Sequence, residues 1–169
     1  MYKRQVYYGE ELGLRPGTQK VVDSRDSART PMLWNGEPGF GFTTGTPWLA
    51  FGTSPETTHV DFERADEGSM LAFYERALAL RRGRSVWGVG DVSLVDTGNP
   101  AIFAALRQDD FMAYFVGVNI ADEPAEGNFE KPADARGVER VLGDGTLSFA
   151  GSTASLVLPE KAAAIFRIR

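Results

Sequence analysis

The chain has 169 residues, 43% hydrophobic and 24% charged, with no cysteine, one histidine and a net charge of −5. That length suits one domain or slightly more, and falls well short of the about 250 residues of a complete (β/α)8 barrel. The composition is that of a soluble globular chain. It excludes disulfide frameworks, thiolate zinc sites, iron–sulfur clusters and cysteine nucleophiles, and the negative charge argues against nucleic acid as a partner.

No apolar run approaches the ~20 residues of a membrane helix, so no membrane partner is expected. Met1-Tyr2-Lys3-Arg4-Gln5 lacks the apolar core of a signal peptide, and a cytoplasmic rather than secreted location is expected. Residues 1–84 carry 11 basic and 11 acidic groups; residues 85–169 carry 7 and 12. The second half is thus the acidic part.

In chain order, Val6-Tyr7-Tyr8 is β-branched and aromatic and predicts a buried strand, ended by Gly9-Glu10-Glu11-Leu12-Gly13. From Arg15 to Thr58 the chain is rich in Gly, Pro, Thr and Trp, with little periodicity. A loop of that length is functional or signals that something else completes it. Residues 66–84 predict a helix. Met70, Phe73, Tyr74, Ala77 and Leu78 make one apolar stripe. Asp66, Glu67 and Ser69 suit its N-terminus, and Arg81, Arg82, Arg84 and a left-handed Gly83 suit its C-terminus. The period then changes to two. Strands are predicted at 91–96, 101–107, 111–119, 138–142, 154–158 and 162–168, with turns between them, which indicates an antiparallel sandwich. The stretch from Asp122 to Gly137 reads as the most mobile loop.

Three groups of residues could carry chemistry. Glu10 and Glu11 follow the first predicted strand, where carboxylates of barrel enzymes are often catalytic. A glycosidase needs two carboxyl groups flanking one bond. Adjacent residues on a strand point to opposite sides, so these two do not form that pair; alternatively, one binds backbone amides and the other is solvated. The segment from Asp23 to Met32 interleaves Arg25 and Arg29 with Asp26. That pattern suits bidentate recognition of carboxylates or of sugar hydroxyls, and equally a salt-bridge cluster that fixes a loop. Trp34, Phe40, Phe42, Trp48 and Phe51 could stack on sugar rings or wedge the loop onto a core. His59 has no partner pattern and reads as structural or exposed.

The order of these pieces resembles glycoside hydrolase family 13, the α-amylase family, in its α-glucosidase and oligo-1,6-glucosidase branch. Tyr7-Tyr8-Gly9-Glu10-Glu11-Leu12-Gly13-Leu14 is similar to the end of that family's eighth barrel strand. Arg25-Asp26-Ser27-Ala28-Arg29-Thr30-Pro31-Met32-Leu33-Trp34 and Gly41-Phe42-Thr43-Thr44-Gly45-Thr46-Pro47-Trp48 resemble the two motifs that follow it. The helix that runs through Arg76-Ala77-Leu78-Ala79-Leu80-Arg81-Arg82 is similar to the last barrel helix, and the remainder to the C-terminal sandwich. One departure is the distance of only about ten residues between Leu14 and Arg25, where that branch carries a longer helical insertion.

The resemblance implies a mixed fold: a remnant of the last β/α unit of a (β/α)8 barrel, residues 6–84, followed by an antiparallel all-β sandwich, residues 85–169. Residues 1–5 fit neither part and resemble a translated sequencing adapter. The family's three catalytic acids lie upstream of the eighth strand, so the resemblance implies no catalytic residue in this chain. It implies the C-terminal fragment of a retaining α-glycosidase whose substrate is an oligosaccharide. Arg25 is then the substrate-binding residue, contacting hydroxyls of the glucose at the cleavage subsite. Arg29, Asp26, Glu10 and Glu11 hold the loop or support the site. No cofactor and no metal is expected, and the oligomeric state is left open. The alternative classes are a stand-alone carbohydrate-binding or structural sandwich and a plain interaction domain. A lone barrel strand has no ladder partner, so residues 6–65 are expected to pack poorly and the helix stripe to stay partly exposed.

Overall fold

The computed structural model describes residues 5–17, 24–52 and 54–169. Most of the adapter-like N-terminus, Met1 to Arg4, and Asp23 of the arginine segment lie outside the described residues. The chain divides into two compact units at Leu78/Ala79, inside a helix, six residues before the boundary read from the sequence.

The first unit has irregular backbone and short helices. Its described residues contain no strand. Val6-Tyr7-Tyr8 corrects the sequence reading: all three are exposed and none joins a ladder. Without paired neighbours, β propensity has nothing to act on. A small core nevertheless forms from Leu12, Met32 and Val60, with Leu14 and Leu71 against it, and Leu33 is fully buried.

The predicted helix of residues 66–84 is shorter and flanked by two others. They are α1, Val60–Arg64; α2, Met70–Arg81; and α3, Val86–Val89. Ser69 caps α2: its Oγ accepts from Ala72 N at 3.1 Å and donates to Glu63 O at 2.8 Å. The buried Glu63 carboxylate accepts from Leu71 N at 2.9 Å. Asp66 instead closes a turn, accepting from Gly68 N. At the other end Gly83 has φ +73°, and Arg84 Nη1 donates to Leu80 O at 2.6 Å. None of α2's residues is buried, and Met70 and Leu78 are about half exposed. Ser69→Ala is expected to cost about 1 kcal/mol, as N-cap losses do. Ser69→Asp should restore most of it, read as melting midpoints by circular dichroism.

The second unit is an all-antiparallel sandwich. Its strands are β1, Asp91–Leu94; β2, Ile102–Gln108; β3, Ala113–Asn119; β4, Ala125–Glu130; β5, Val138–Gly143; β6, Thr146–Ala150; β7, Thr153–Leu158; and β8, Ala163–Ile168. One sheet has the order β1-β2-β3-β8-β5 and the other β4-β7-β6. The core between them alternates along each strand: Ile102 and Ala104, Phe115, Ala125 and Phe129, Leu147, Ala154, Leu156 and Leu158, Ala164 and Phe166. Phe115 of the larger sheet stacks on Phe129 of the smaller at 4.8 Å.

Strand β4 corrects the reading of residues 122–137 as a mobile loop. It alternates buried and exposed at every position. Its Gly127 obscured it in the sequence, yet glycine is required there: a Cβ would sit 2.6 Å from Thr97 Cβ. Strand β6 was also hidden, behind the turn Gly143-Asp144-Gly145. That turn demands glycine at Gly143, where φ is +77° and a Cβ would fall 1.8 Å from Ala163 O. Buried Asn119 ties the β3–β4 and β7–β8 loops: its Nδ2 donates to Glu123 O and Pro159 O, and its Oδ1 accepts from Ala121 N. Asp109 fixes the β2–β3 turn. Ser85 Oγ, then the amides of Phe111 and Met112, hold its carboxyl below the usual range.

Candidate functional site

The first unit's aromatic residues are positioned by backbone turns. Gly9 at φ +86° and Gly13 at φ +60° bracket a short 3-10 turn, Glu10–Leu12. Glu11 Oε2 accepts from Gly9 N at 2.9 Å and Glu10 Oε2 from Tyr7 N at 3.3 Å, so both carboxylates brace this turn. Tyr7 and Tyr8 rings lie 4.7 Å apart, and the Tyr8 hydroxyl donates to Thr30 O at 3.2 Å. Partial burial pushes the Tyr8 phenol above its usual range; Tyr7 adds to the rise and the Arg29 guanidinium opposes it. At neutral pH Tyr8 is therefore a neutral donor.

Trp34 is fixed from both sides. Its amide donates to Phe40 O at 2.9 Å and its carbonyl accepts from Asp61 N at 3.1 Å. Gly39, Phe40 and Gly41 all have positive φ, a tight reversal that sets Phe40 edge-on against Phe51 at 4.9 Å. The five aromatics thus separate. Phe40 and Phe51 pack on each other. Trp34, Phe42 and Trp48 instead line one cavity, and Trp48 is 84% exposed.

That cavity has a volume of about 420 Å³. Its wall also includes Tyr8, Glu11, Arg29 and the apolar Met32 and Leu49. It is mostly apolar, with a carboxylate and a guanidinium at its edge, the usual make-up of a small-molecule site. Arg29 Nη1 stands 3.4 Å from Oδ1 of buried Asp26, so the arginine is braced while its side chain stays partly exposed. Arg25 sits one turn away on the 3-10 segment Ser24–Ala28, exposed and off this wall. Glu10 lines a smaller neighbouring cavity of about 210 Å³ with Tyr7 and Arg15. The structure therefore brings Glu11 and Arg29 together with the aromatics, and sets Arg25 and Glu10 to the side.

The sequence reading missed Tyr8, Met32 and Leu49 as walls. Tyr8 and Met32 stand within motifs already singled out, and Leu49 directly follows the last of them. His59 is buried and caps α1, its Nδ1 accepting from Phe62 N at 3.1 Å.

Residues 3–88 match the family model of the α-amylase catalytic domain. The chain is 32% identical over 140 residues to oligo-1,6-glucosidase of Bacillus cereus, covering 79% of this chain and 24% of that protein. It is 33% identical over 122 residues to glucan 1,6-alpha-glucosidase of Streptococcus pneumoniae, covering 69% and 23%. Among solved structures it is similar to trehalulose synthase MutB in complex with glucose, at 29% identity and a TM-score of 0.71, over 86% of this chain and 26% of that one. A second MutB structure, with Tris bound, gives 25% identity and a TM-score of 0.77 over 95% and 35%. The chain spans about a quarter of the length of the curated relatives it matches.

Proposed function

The chain belongs to the α-amylase family of glycoside hydrolases, and we propose that it supplies the C-terminal part of a retaining α-glucosidase that cleaves oligosaccharides. In this reading the first unit walls the sugar site, and carboxylates from the upstream catalytic domain do the bond chemistry. Such an enzyme works through a covalent glycosyl intermediate with two carboxyl groups flanking the scissile bond.

The observation that carries the reading is the aromatic cavity. Its walls come from the same three motifs that resemble the family, with Leu49 just past the last of them. Indole and phenyl faces meet the axial C–H groups of a pyranose, while Arg29 and Glu11 offer directional polar contacts at the edge. Arg25, exposed one turn away, is assigned the hydroxyls of the glucose at the cleavage subsite. Asp26, Glu10 and Glu11 hold the loops that present these groups.

The test is a chimera. Residues 5–169 replace the matching C-terminal segment of the Bacillus cereus oligo-1,6-glucosidase. The chimera is expected to hydrolyse isomaltose. Arg25→Ala should lower kcat/KM by about 10- to 100-fold, the worth of one charge-assisted hydrogen bond to substrate. A folded chimera without activity would overturn the assembly, and an active one indifferent to Arg25→Ala would overturn that residue's role.

A further inference from the structure

Alternate residues of the larger sheet face the sandwich core. Beyond the buried pair Phe115 and Phe166 comes a last inward row, Gln108, Ala113 and Ile168, none of them buried. With Leu106 this row lines an open cavity of about 580 Å³, within the range of small-molecule sites. The cavity's walls are the β2–β3 turn, residues 109–112, and residues 132–135 of the β4–β5 connection. It lies wholly within the second unit.

Both walls are held by hydrogen bonds. Asp109 Oδ1 accepts from the amides of Phe111 at 2.9 Å and Met112 at 2.8 Å, and its Oδ2 accepts from Ser85 Oγ at 2.6 Å. Across the cavity, Ala135 N donates to Pro132 O at 3.0 Å and Lys131 Nζ to Ala135 O at 2.9 Å. The first wall holds the Phe111 ring out in water. It is 87% exposed, more than any other large apolar side chain among the described residues. On a backbone fixed in this way, the ring loses little further freedom when a ligand stacks on it.

The polar groups around the ring indicate the ligand's chemistry. Asp110, Asp134 and Gln108 are exposed, and their side chains bond no described residue. Arg169, the cation on the wall, pairs with Glu139. The rim is therefore acidic and repels anions. Its acids do not converge on one point: among the described residues no group of three acidic or histidine side chains could hold a metal ion. Dispersed acceptors beside an exposed aromatic face fit a ring with C–H groups on its face and hydroxyls on its edge.

We propose that this cavity is a second carbohydrate-binding site, for a neutral gluco-oligosaccharide. Phe111 is its stacking platform, and Asp110, Asp134 and Gln108 are the partners of the sugar hydroxyls. The choice of a glucose-based sugar rests on the function proposed above; the site itself rests on the sandwich alone. A second site on the same chain raises the effective concentration of oligosaccharide at the first.

The experiment titrates isomaltotriose into the isotope-labelled 169-residue chain and follows the backbone amide shifts. Saturable shifts are expected at residues 108–113 and 133–135, with a Kd of about 1–10 mM, the strength of a few contacts. Phe111→Ala should weaken this binding by about 5- to 10-fold and Phe111→Trp should strengthen it. Both should leave Tm within about 2 °C, since the ring is in water. Asp110→Asn with Asp134→Asn should weaken binding by about 3- to 10-fold. Amides that stay still up to about 50 mM sugar overturn the site. Binding indifferent to Phe111→Ala also overturns it. Saturable shifts at the same amides with tetramethylammonium, and none with isomaltotriose, make this a cation site and the proposal wrong. The chimera's activity on isomaltose is read separately. An active chimera with no sugar binding here removes the second site alone, whereas sugar binding here beside an inactive chimera supports the site and removes the proposed function.

Discussion

Purified alone, the 169-residue chain is expected to leave a nitrophenyl α-glucoside uncleaved above the buffer rate. A retaining glycosidase places two carboxyl groups about 5 Å apart across the bond, one of them held protonated as the acid. The carboxylates at the aromatic cavity, in its smaller neighbour and beside Arg29 are committed elsewhere. Glu11 binds Gly9 N, Glu10 binds Tyr7 N, and Asp26 faces Arg29. Glu10 and Glu11 brace one turn and line different cavities, so no bond lies between them. Enzymes accelerate such reactions by at least about 10⁶-fold, so the difference from a complete enzyme is far outside assay error. Hydrolysis by the purified chain that disappears with Arg25→Ala would show that the chain carries its own acids. Hydrolysis unaffected by that substitution would point to a contaminant.

Much of this architecture was legible because local sequence and tertiary role agree. Apolar runs such as Ala113 to Asn119 and Ala163 to Ile168 became central strands of the larger sheet. Of the cap residues read from their chemistry, Ser69 and Arg84 bond the ends of α2, whereas Asp66 closes a turn before it. Failures came where pairing decides. Val6-Tyr7-Tyr8 has strand composition and no ladder. Ala125–Glu130 has a glycine and an asparagine and still pairs along its full length with β7. Composition reports what a residue prefers, and a sheet depends on which segment lies beside it.

The same distinction applies to the site. The motifs were visible as words, and all contribute to one cavity wall. Which arginine faces the cavity was not visible: Arg29, just past the 3-10 segment Ser24–Ala28, lines the wall and Arg25, inside the segment, does not, and no pattern of residue types separates the two. The five aromatics looked equivalent until the left-handed reversal at Phe40 turned one of them away from the cavity.

Phe115→Ala is expected to give the largest loss of stability of any single truncation in the sandwich. The ring is fully buried and lies flat on Phe129 from the opposite sheet, with an interplanar angle of 2°. It therefore closes the gap between the two layers as well as filling its own volume. Truncating a buried phenylalanine costs about 3–5 kcal/mol, from lost transfer energy and the cavity left behind. A domain of this kind has a total stability of about 5–15 kcal/mol. The surroundings are closely packed: at Gly117, two residues along β3, a Cβ would be 2.9 Å from Leu156 Cδ2, and strand pairing fixes both backbones. Phe115→Leu should recover part of the loss, since it keeps apolar volume without the stacked ring. Urea denaturation followed at the Trp87 fluorescence, on the outer face of the same sheet, in a background with Trp34→Phe and Trp48→Phe, would report both variants. A loss below about 1 kcal/mol for Phe115→Ala would mean that the two sheets are held together by something other than this aromatic contact.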